Sequence, residues 1–199
     1  MYLYEKPVKK SFENSHILLE PLCLKHAVNL FNAASEDPEV TFYHMFFGPF
    51  DELENMQEWI MKESMDTSKF TFAVYRKQSK KFVGTFSVSE IDSNYGTAEL
   101  SSIWYATSAW GTETNLCASY LLLEYFMEKL KYRRLVWKCD DTNTRSKNAA
   151  LKLGFKQEGV FRKHKIIKGR NRDTAWFSII DDEWEEVKRM LENQINNIM

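Results

Sequence analysis

The sequence predicts an α/β fold, in which helices flank a mixed, mainly antiparallel sheet with a central parallel strand pair. Three observations carry this prediction. Two pairs of alternating strands are separated by short polar turns, a pattern typical of antiparallel hairpins. Between them, a strand, a long helix and a second strand follow one another over 99–139, and this βαβ order favours parallel strands. Further segments with helical spacing supply the flanking layers.

The first half of the chain alternates between strands and helices until an aromatic segment interrupts it. Its predicted elements are a strand over 16–22, a helix over 24–34, a loop over 41–50, a helix capped by Asp51, and hairpin strands over 70–75 and 81–89. The loop over 41–50 is rich in aromatic residues but has no periodicity. Such a loop either covers a pocket or fills a core, and the sequence leaves both interpretations open.

The stretch over 99–130 organises the second half. The predicted elements are a strand over 99–105, a helix over 112–130, a strand over 134–139, a helix over 145–153 ended by Gly154, hairpin strands over 160–167 and 173–180, and a final helix capped by Asp181. The first of these strands runs through a short loop into the long helix. Free backbone N–H groups and the positive helix end therefore point to one place, which suits the phosphate of a cofactor.

Composition limits the protein to a few functional classes. With 199 residues, 44% of them apolar, the chain can build one well-packed domain, and we assign 1–15 to an N-terminal extension and 16–199 to that domain. The 27 basic and 28 acidic residues nearly balance, so no overall charge points to nucleic acid or to a membrane. Three separate cysteines favour reduced thiols. The polar start lacks a signal-peptide core and no apolar run could span a bilayer, so a cytoplasmic location is expected.

Several motifs in the second half resemble one known family. They are Trp137 to Asp140, Asn143, Ser146, Ala149 to Ala150, Leu153 to Phe155, Glu158 to Arg162, Lys168 to Thr174 and Asp182 to Trp184. Together they are similar to the GNAT superfamily of N-acetyltransferases, and more narrowly to its RimJ/RimL-like branch, which includes ribosomal-protein N-terminal acetyltransferases. The likeness covers about 16–191. It implies a single GNAT-like N-acetyltransferase domain that uses acetyl-CoA as co-substrate, without a metal, to acetylate an amine.

Acetyl transfer to an amine makes three demands on a site. The amine must lose a proton, the oxyanion must be held, and the departing thiolate must be protonated or stabilised. The resemblance implies that Glu99 is the general base, often acting through water, and that Ser146 is the acid near the cofactor sulfur. The alternatives stay open: Glu99 as a strand-end carboxylate in a surface ion pair, and Ser146 as a hydroxyl that bonds the start of a helix.

The cofactor-binding residues are also assigned by resemblance. The backbone of three strand residues would bond the pantetheine amides, Asn143 would bond the pantetheine arm, and 110–115 would form the pyrophosphate loop. The predicted set is Ile103, Trp104, Tyr105, Gly111, Thr112, Glu113, Thr114, Asn115 and Asn143. Gly111 and Asn115 fit the pattern of the loop, whereas Trp110 and Glu113 depart from it.

Glu113 decides between two functional interpretations. A carboxylate about 4 Å from a phosphate charge would cost on the order of 4 kcal/mol at an effective dielectric constant near 20. If the protein is an enzyme, Glu113 should therefore lie in the first helical turn with its side chain turned to solvent or to a basic residue.

Other residue types are given structural roles. Cys139 lacks a neighbouring base that could activate it as a nucleophile, and four scattered histidines, His44 and His164 among them, lack the spacing of metal ligands. One basic cluster is expected to form a solvated surface, with a minor indication of a polyanionic or ribosomal partner. Its members are Arg162, Lys163, Lys165, Lys168, Arg170 and Arg172.

Two functions from different classes therefore stand. The first is an N-acetyltransferase that acts by direct attack in a ternary complex, on a protein N-terminus or a small-molecule amine. The alternative is a catalytically weak GNAT-like binding module with an altered pyrophosphate loop. The sequence names neither the acceptor nor the oligomeric state, and a homodimer stays open.

Overall fold

Eight strands form one sheet in the computed structural model, which describes residues 4–198. The strands are β1 (Phe12–Glu13), β2 (Ile17–Pro21), β3 (Phe70–Arg76), β4 (Lys81–Asp92), β5 (Thr97–Tyr105), β6 (Arg134–Asp140), β7 (Lys156–Ile167) and β8 (Arg170–Ile180), in the spatial order β1-β2-β3-β4-β5-β6-β8-β7. Neighbouring strands are antiparallel except for β5 and β6, which are parallel. The predicted fold class and its central parallel pair are confirmed.

Helices cover both faces of the sheet. They are α1 (Ala27–Ala34), α2 (Pro38–Phe42), α3 (Leu53–Met65), α4 (Thr114–Leu123), α5 (Thr144–Lys152) and α6 (Asp181–Asn196). Alternation along β3 directs Phe72 and Val74 into the main core with α4 and α6, and Ala73 into a second core with α1 and α3. Every second strand residue therefore faces one helical layer, as expected for a sheet buried on both sides.

The ends of three predicted helices differ from expectation. The N-caps are Glu52 and Ile180 rather than Asp51 and Asp181, because Asn55 Oδ1 accepts a hydrogen bond from the Glu52 N–H and Glu183 Oε2 accepts one from the Ile180 N–H. The long helix begins two residues later than predicted, at Thr114, and its last turns over Glu124–Lys129 are π-helical. Local sequence signals locate a helix better than they locate its terminal residue.

The residues before β2 pack against the rest of the protein. Phe12–Glu13 pairs with β2, and the Val8 N–H donates a 2.9 Å hydrogen bond to the Tyr125 hydroxyl. The sequence pattern did not indicate a strand there, because two residues are too few to show alternation. The division between a 1–15 extension and a 16–199 domain stays a prediction.

The parallel strands β5 and β6 separate where they approach the site. They pair only between Thr97–Leu100 and Arg134–Trp137, although both strands continue beyond that point. Where β5 pairs with β4, β5 advances by three residues, from Ser101 to Trp104, while β4 advances by only two. Ser102 has a left-handed φ of 48°, so this part of β5 forms a bulge that bends the strand. The bend opens a gap between the ends of the two strands.

Candidate active site

A cavity of about 1160 Å³ occupies the gap between the separated strands. Its walls come from the bulged end of β5 (101–105), the end of β6 (138–140), the loop over 109–112, and the first turns of α5. Beyond Leu100, the edge of β5 that faces this cavity has no strand partner among residues 4–198. The bend therefore offers unpaired backbone groups to a ligand, because such groups need a hydrogen-bonding partner.

Glu99 lies on the cavity wall in the parallel-paired part of β5. Its side chain is only 12% exposed, and Lys138 Nζ on β6 lies 2.9 Å from its Oε2 atom. Burial raises the pKa of Glu99 to about 6, although the nearby Lys138 ammonium acts to lower it. Glu99 thus forms the ion pair that the alternative expected, but both partners are largely buried rather than at the surface. A carboxylate with this pKa can accept a proton near neutral pH.

Lys138 is itself held by three groups. Besides Glu99, it contacts Glu90 Oε2 at 2.5 Å and lies 4.3 Å from the centre of the Trp176 ring. The ammonium is therefore fixed beside the Glu99 carboxylate rather than free to swing into solvent.

Ser146 faces the same cavity from the first turn of α5. Asn143, not Ser146, caps this helix, because the Asn143 side-chain oxygen accepts a 3.0 Å hydrogen bond from the Ser146 N–H. The Ser146 hydroxyl instead accepts a 3.0 Å bond from the Trp137 indole N–H. The same hydroxyl also hydrogen-bonds the Cys139 sulfur, which acts to lower the pKa of that thiol. Since the Asn143 oxygen is used as the cap, its NH₂ group is what could bind a pantetheine arm.

Cys139 also borders the cavity, and burial raises the pKa of its thiol to about 11. A thiol with this pKa is protonated at neutral pH and is a poor nucleophile. The structure thus supports leaving Cys139 out of the chemistry.

The loop before α4 exposes its backbone to the cavity. Gly111 has a φ of +71°, and no atom lies within 4 Å of the place where a Cβ would stand. Thr112 and Asn115 also line the wall, and the Tyr105 hydroxyl donates a 3.3 Å bond to Asn115 Oδ1. The loop and the N-terminus of α4 therefore form an open cradle with the chemistry for an anion.

Glu113 and Thr114 do not line the cavity. Both Glu113 oxygens accept hydrogen bonds at 3.0 Å from the Arg76 guanidinium on β3, and Thr114 is fully buried. Burial would raise the pKa of Glu113, but the Arg76 hydrogen bonds, the Glu113 backbone N–H and the Arg76 charge together lower it. The carboxylate faces a basic residue, one of the two directions that the sequence predicted, although Glu113 is the N-cap rather than a residue of the first turn.

Arg145 is a site residue that sequence reasoning missed. Its guanidinium carbon lies 3.4 Å from the centre of the Trp110 ring, and both residues line the cavity. The departure of Trp110 from the family pattern was the available signal, because an indole ring is a good partner for a guanidinium.

The aromatic loop is fastened over the cavity by a charged cluster. Asp140 at the end of β6 is almost fully buried and contacts His44 Nδ1 at 3.2 Å and Arg170 Nη1 at 2.7 Å. Burial would raise the pKa of Asp140, but hydrogen bonds from Thr142, Arg170 and His44 together lower it. Lys168 Nζ adds a 2.7 Å bond to the Phe42 carbonyl oxygen. His44 thus has a structural role.

The prediction of a solvated basic surface is wrong for Arg172, which is buried, whereas Arg170 is half-buried and Lys168 is exposed. Lys168 and Arg170 hold the aromatic loop, and Arg172 is 7% exposed and lines the cavity. The remaining three, Arg162, Lys163 and Lys165, are exposed. Alternation along β8 separates inward from outward side chains, but sequence alone does not show which face the aromatic loop covers.

Within residues 4–198, no three His, Cys, Asp or Glu side chains are grouped so as to hold a metal ion. In the same part of the chain, no helix has both the length and the hydropathy needed to cross a bilayer.

Comparison with known proteins identifies relatives of this chain. The model of the acetyltransferase (GNAT) domain matches residues 16–156, more than half of the chain. The uncharacterized N-acetyltransferase p20 of Bacillus licheniformis is 29% identical over 74% of this chain and 84% of its own length. The crystal structure of a GCN5-related N-acetyltransferase from Brucella melitensis superposes with a TM-score of 0.94 at 37% identity, and covers 97% of this chain and 88% of that one.

A more distant structure shares the fold. The microcin C7 self-immunity acetyltransferase MccE, solved in complex with acetyl-CoA and AMP, has a TM-score of 0.77 at 24% identity, over 84% of this chain and 93% of that one. At this identity the likeness concerns the fold alone.

Proposed function

Because the chain belongs to the GNAT acetyltransferase domain family, we propose that it is an N-acetyltransferase that transfers acetyl from acetyl-CoA to a primary amine in a ternary complex. One observation carries this proposal: Glu99, a buried carboxylate with a pKa near 6, lies in the cavity where β5 and β6 separate. A general base needs that combination of position and pKa.

The cavity fits a long ligand with a phosphate-bearing end. The unpaired edge of β5 at Ile103, Trp104 and Tyr105 would bond the pantetheine amides through its backbone, and the Asn143 NH₂ would bond the same arm. The loop residues Gly111 and Thr112 would cradle the pyrophosphate with the N-terminus of α4.

Further residues would complete the cofactor site at the phosphate end. Asn115 lines the wall beside the loop, and Arg145 would add a positive charge there. Glu113 and Thr114 would contribute backbone groups only, since neither side chain faces the cavity.

Acetyl-CoA supplies an acetyl group activated as a thioester. Glu99 would accept the proton that the amine loses when its nitrogen bonds the carbonyl carbon, directly or through water. Ser146 would donate its hydroxyl proton to the thiolate released as the carbon–sulfur bond breaks. Backbone N–H groups on the bulged end of β5 would stabilise negative charge on the carbonyl oxygen.

We further propose that the chain is RimJ/RimL-like and acts on a protein N-terminus or a small amine. Supporting this, a relative from Bacillus subtilis, YdaF, carries the provisional description of ribosomal N-acetyltransferase. It is 27% identical over 53% of this chain and 57% of its own length. The binding-module alternative rested on an altered pyrophosphate loop at Trp110 and Glu113, and the ion pair of Glu113 with Arg76 favours the enzyme over it.

Release of free CoA thiol, measured with acetyl-CoA and a panel of peptides and small amines, tests the proposal. We expect Glu99→Gln and Ser146→Ala each to lower kcat by about 10² to 10⁴-fold while the KM for acetyl-CoA changes little. Lys165→Met on the exposed hairpin is the control and should behave like the wild type. Unchanged turnover in both site variants would refute the assigned roles. If none of the amines in the panel caused release of CoA thiol, the proposed function would be refuted.

A further inference from the structure

Arg172 is a buried cation that the proposed acetyl transfer does not use. Only 7% of the residue is exposed, its Nε atom has no hydrogen-bond partner, and the side chain lines the same cavity as Glu99. Within residues 4–198, no carboxylate lies within ion-pair distance of its guanidinium.

The neighbouring carboxylates are already paired with other cations. Glu99 pairs with Lys138, and Asp140 pairs with Arg170 and His44. Lys138 also contacts Glu90, so two carboxylates share its charge, whereas Arg172 has no carboxylate of its own within ion-pair distance among residues 4–198. A buried charge without a partner is strongly unfavourable unless a ligand supplies the opposite charge.

Stacking on the aromatic loop does not replace such a partner. The Arg172 guanidinium lies 4.8 Å from the centre of the Phe46 ring. A cation–π contact of this kind offsets only a small part of the cost of desolvating a guanidinium. Phe46 is itself 60% exposed, so it covers Arg172 at the surface rather than within a core.

From this geometry we infer that Arg172 binds a carboxylate on the acceptor, so that the acceptor is an amine of the amino acid class. The inference rests on the proposed function and names the substrate class of the same site. A planar guanidinium binds a carboxylate through two parallel hydrogen bonds, and such a partner would pair the buried Arg172 cation. Glu99 would then face the amino group, while Arg172 anchors the other end of the acceptor.

Matched acceptor pairs test the inference. Each pair is an α-, β- or γ-amino acid and its carboxamide, which keeps the amine and removes the negative charge. We expect the wild type to favour the acid in kcat/KM by about a hundredfold, the range set by hydrogen bonds to charged groups. In Arg172→Met, the kcat/KM values for the acid and for the carboxamide should differ by no more than about threefold, and the KM for acetyl-CoA should be unchanged. Arg172→Lys should give an intermediate preference.

Controls separate this role from a structural one. Arg162→Met, on the exposed face of the same hairpin, should keep the wild-type preference. Calorimetric titration with the N-acetylated acid gives a readout without turnover, and its Kd should rise about a hundredfold in Arg172→Met. Thermal melting shows whether the variant is folded, and Arg172→Lys serves if the methionine variant is not.

Three results would overturn the inference. One is a wild type without preference for the acid. Another is an Arg172→Met variant whose kcat/KM falls equally for the acid and for the carboxamide. The third is a wild type that prefers aminoalkylphosphonates to amino acids, which would assign the site to phosphate. Failure of the proposed function is distinguishable, because then no amine of either charge releases CoA thiol, while the calorimetric titration still reports on Arg172.

Discussion

Glu99 and Lys138 form the charged pair that sets the proton chemistry of the cavity. Their side chains are 12% and 10% exposed, so the carboxylate has lost most of its water and regains part of that stabilisation from one ammonium. Burial is the larger effect, and the pKa of Glu99 lies near 6 rather than near 4.5. The ionised base is therefore available at neutral pH and is lost in mild acid.

The pH profile of kcat/KM tests this balance. Since the raised pKa makes Glu99 protonated below about 6, we expect kcat/KM to fall about tenfold per pH unit below that value and to level off above it. Lys138→Met removes the group that lowers the pKa, so its acidic limb should move to higher pH. Glu99→Gln should lose the limb altogether. A limb that stays in place in both variants would belong to another group.

Glu113 is the residue at which the sequence departs most from the family pattern. Its pairing with Arg76 on β3 fixes the carboxylate on the side of α4 away from the cavity. The helix start is thus joined to the sheet, and the backbone N–H groups before α4 are left for a ligand.

We expect Glu113→Gln to leave the affinity for acetyl-CoA within a few-fold of the wild type. It should lower the free energy of unfolding by about 1.5–3 kcal/mol, because the largely buried Arg76 loses a charged hydrogen-bond partner. Titration calorimetry and urea unfolding measure the two effects. The double variant Arg76→Met with Glu113→Met is the matched control and should recover part of the stability. A gain in affinity of a hundredfold or more would mean that the glutamate opposes phosphate binding.

At the scale of elements, the aromatic loop combines the two roles that its sequence left open. Phe42 at the end of α2 is fully buried and packs 5.1 Å from Trp104, measured between ring centres. Phe47 stacks on Trp59 at 4.8 Å, whereas Phe46 is mainly exposed above Arg172. The start of the segment fills a core, and its middle covers the cavity.

Truncating each end of the loop should separate these roles. We expect Phe42→Ala to lower the free energy of unfolding by about 3–5 kcal/mol, because a fully buried ring leaves a cavity. Phe46→Ala should change stability little but alter kcat/KM across an amine panel, with the KM for acetyl-CoA nearly intact. Melting curves and acceptor kinetics measure both. Equal losses of stability in the two variants would make the whole loop a core element.

On the scale of the whole molecule, Asp140 connects three parts that are distant in sequence. It ends β6, binds His44 of the aromatic loop, and binds Arg170 of the β7–β8 hairpin. Since the cavity lies between these parts, this single carboxylate fixes their relative positions. Its pKa is lowered in the folded state, so its ionised form stabilises the fold.

Stability should therefore depend on pH through Asp140. A depressed pKa contributes stability that is fully present above the unfolded value of about 4 and is lost as pH falls below it. We expect Asp140→Asn to unfold at lower urea concentration by an amount that is constant from pH 7 to about 4 and shrinks below that. Asp141→Asn, next to it in a half-buried ion pair with Lys147, is the control. A difference that stays constant into acid would exclude this linkage.

The sequence by itself determined the fold class, the parallel pair and the family motifs. Alternation and helical spacing are local properties, so they identified β3, β4 and the helices that follow β5 and β6. The strand–loop–helix order also indicated the loop before α4 as a place for a phosphate, whereas Glu99 and Ser146 were assigned through the resemblance to the GNAT family. Two helix caps lie one residue away from the predicted positions, at Glu52 and Ile180, where the side chains of Asn55 and Glu183 accept a hydrogen bond from the cap N–H.

Only the tertiary structure decided which side chains face the cavity and with what charge. Arg172, Arg170 and Lys168 belong to one basic cluster in the sequence, yet one is buried in the site and two hold a loop from the other end of the chain. Glu113 and Arg76 are far apart in sequence and neutralise each other in space. Burial and charge pairing depend on long-range packing, and this is why the pKa of Glu99 and the unpaired charge of Arg172 could not be inferred from residue types alone.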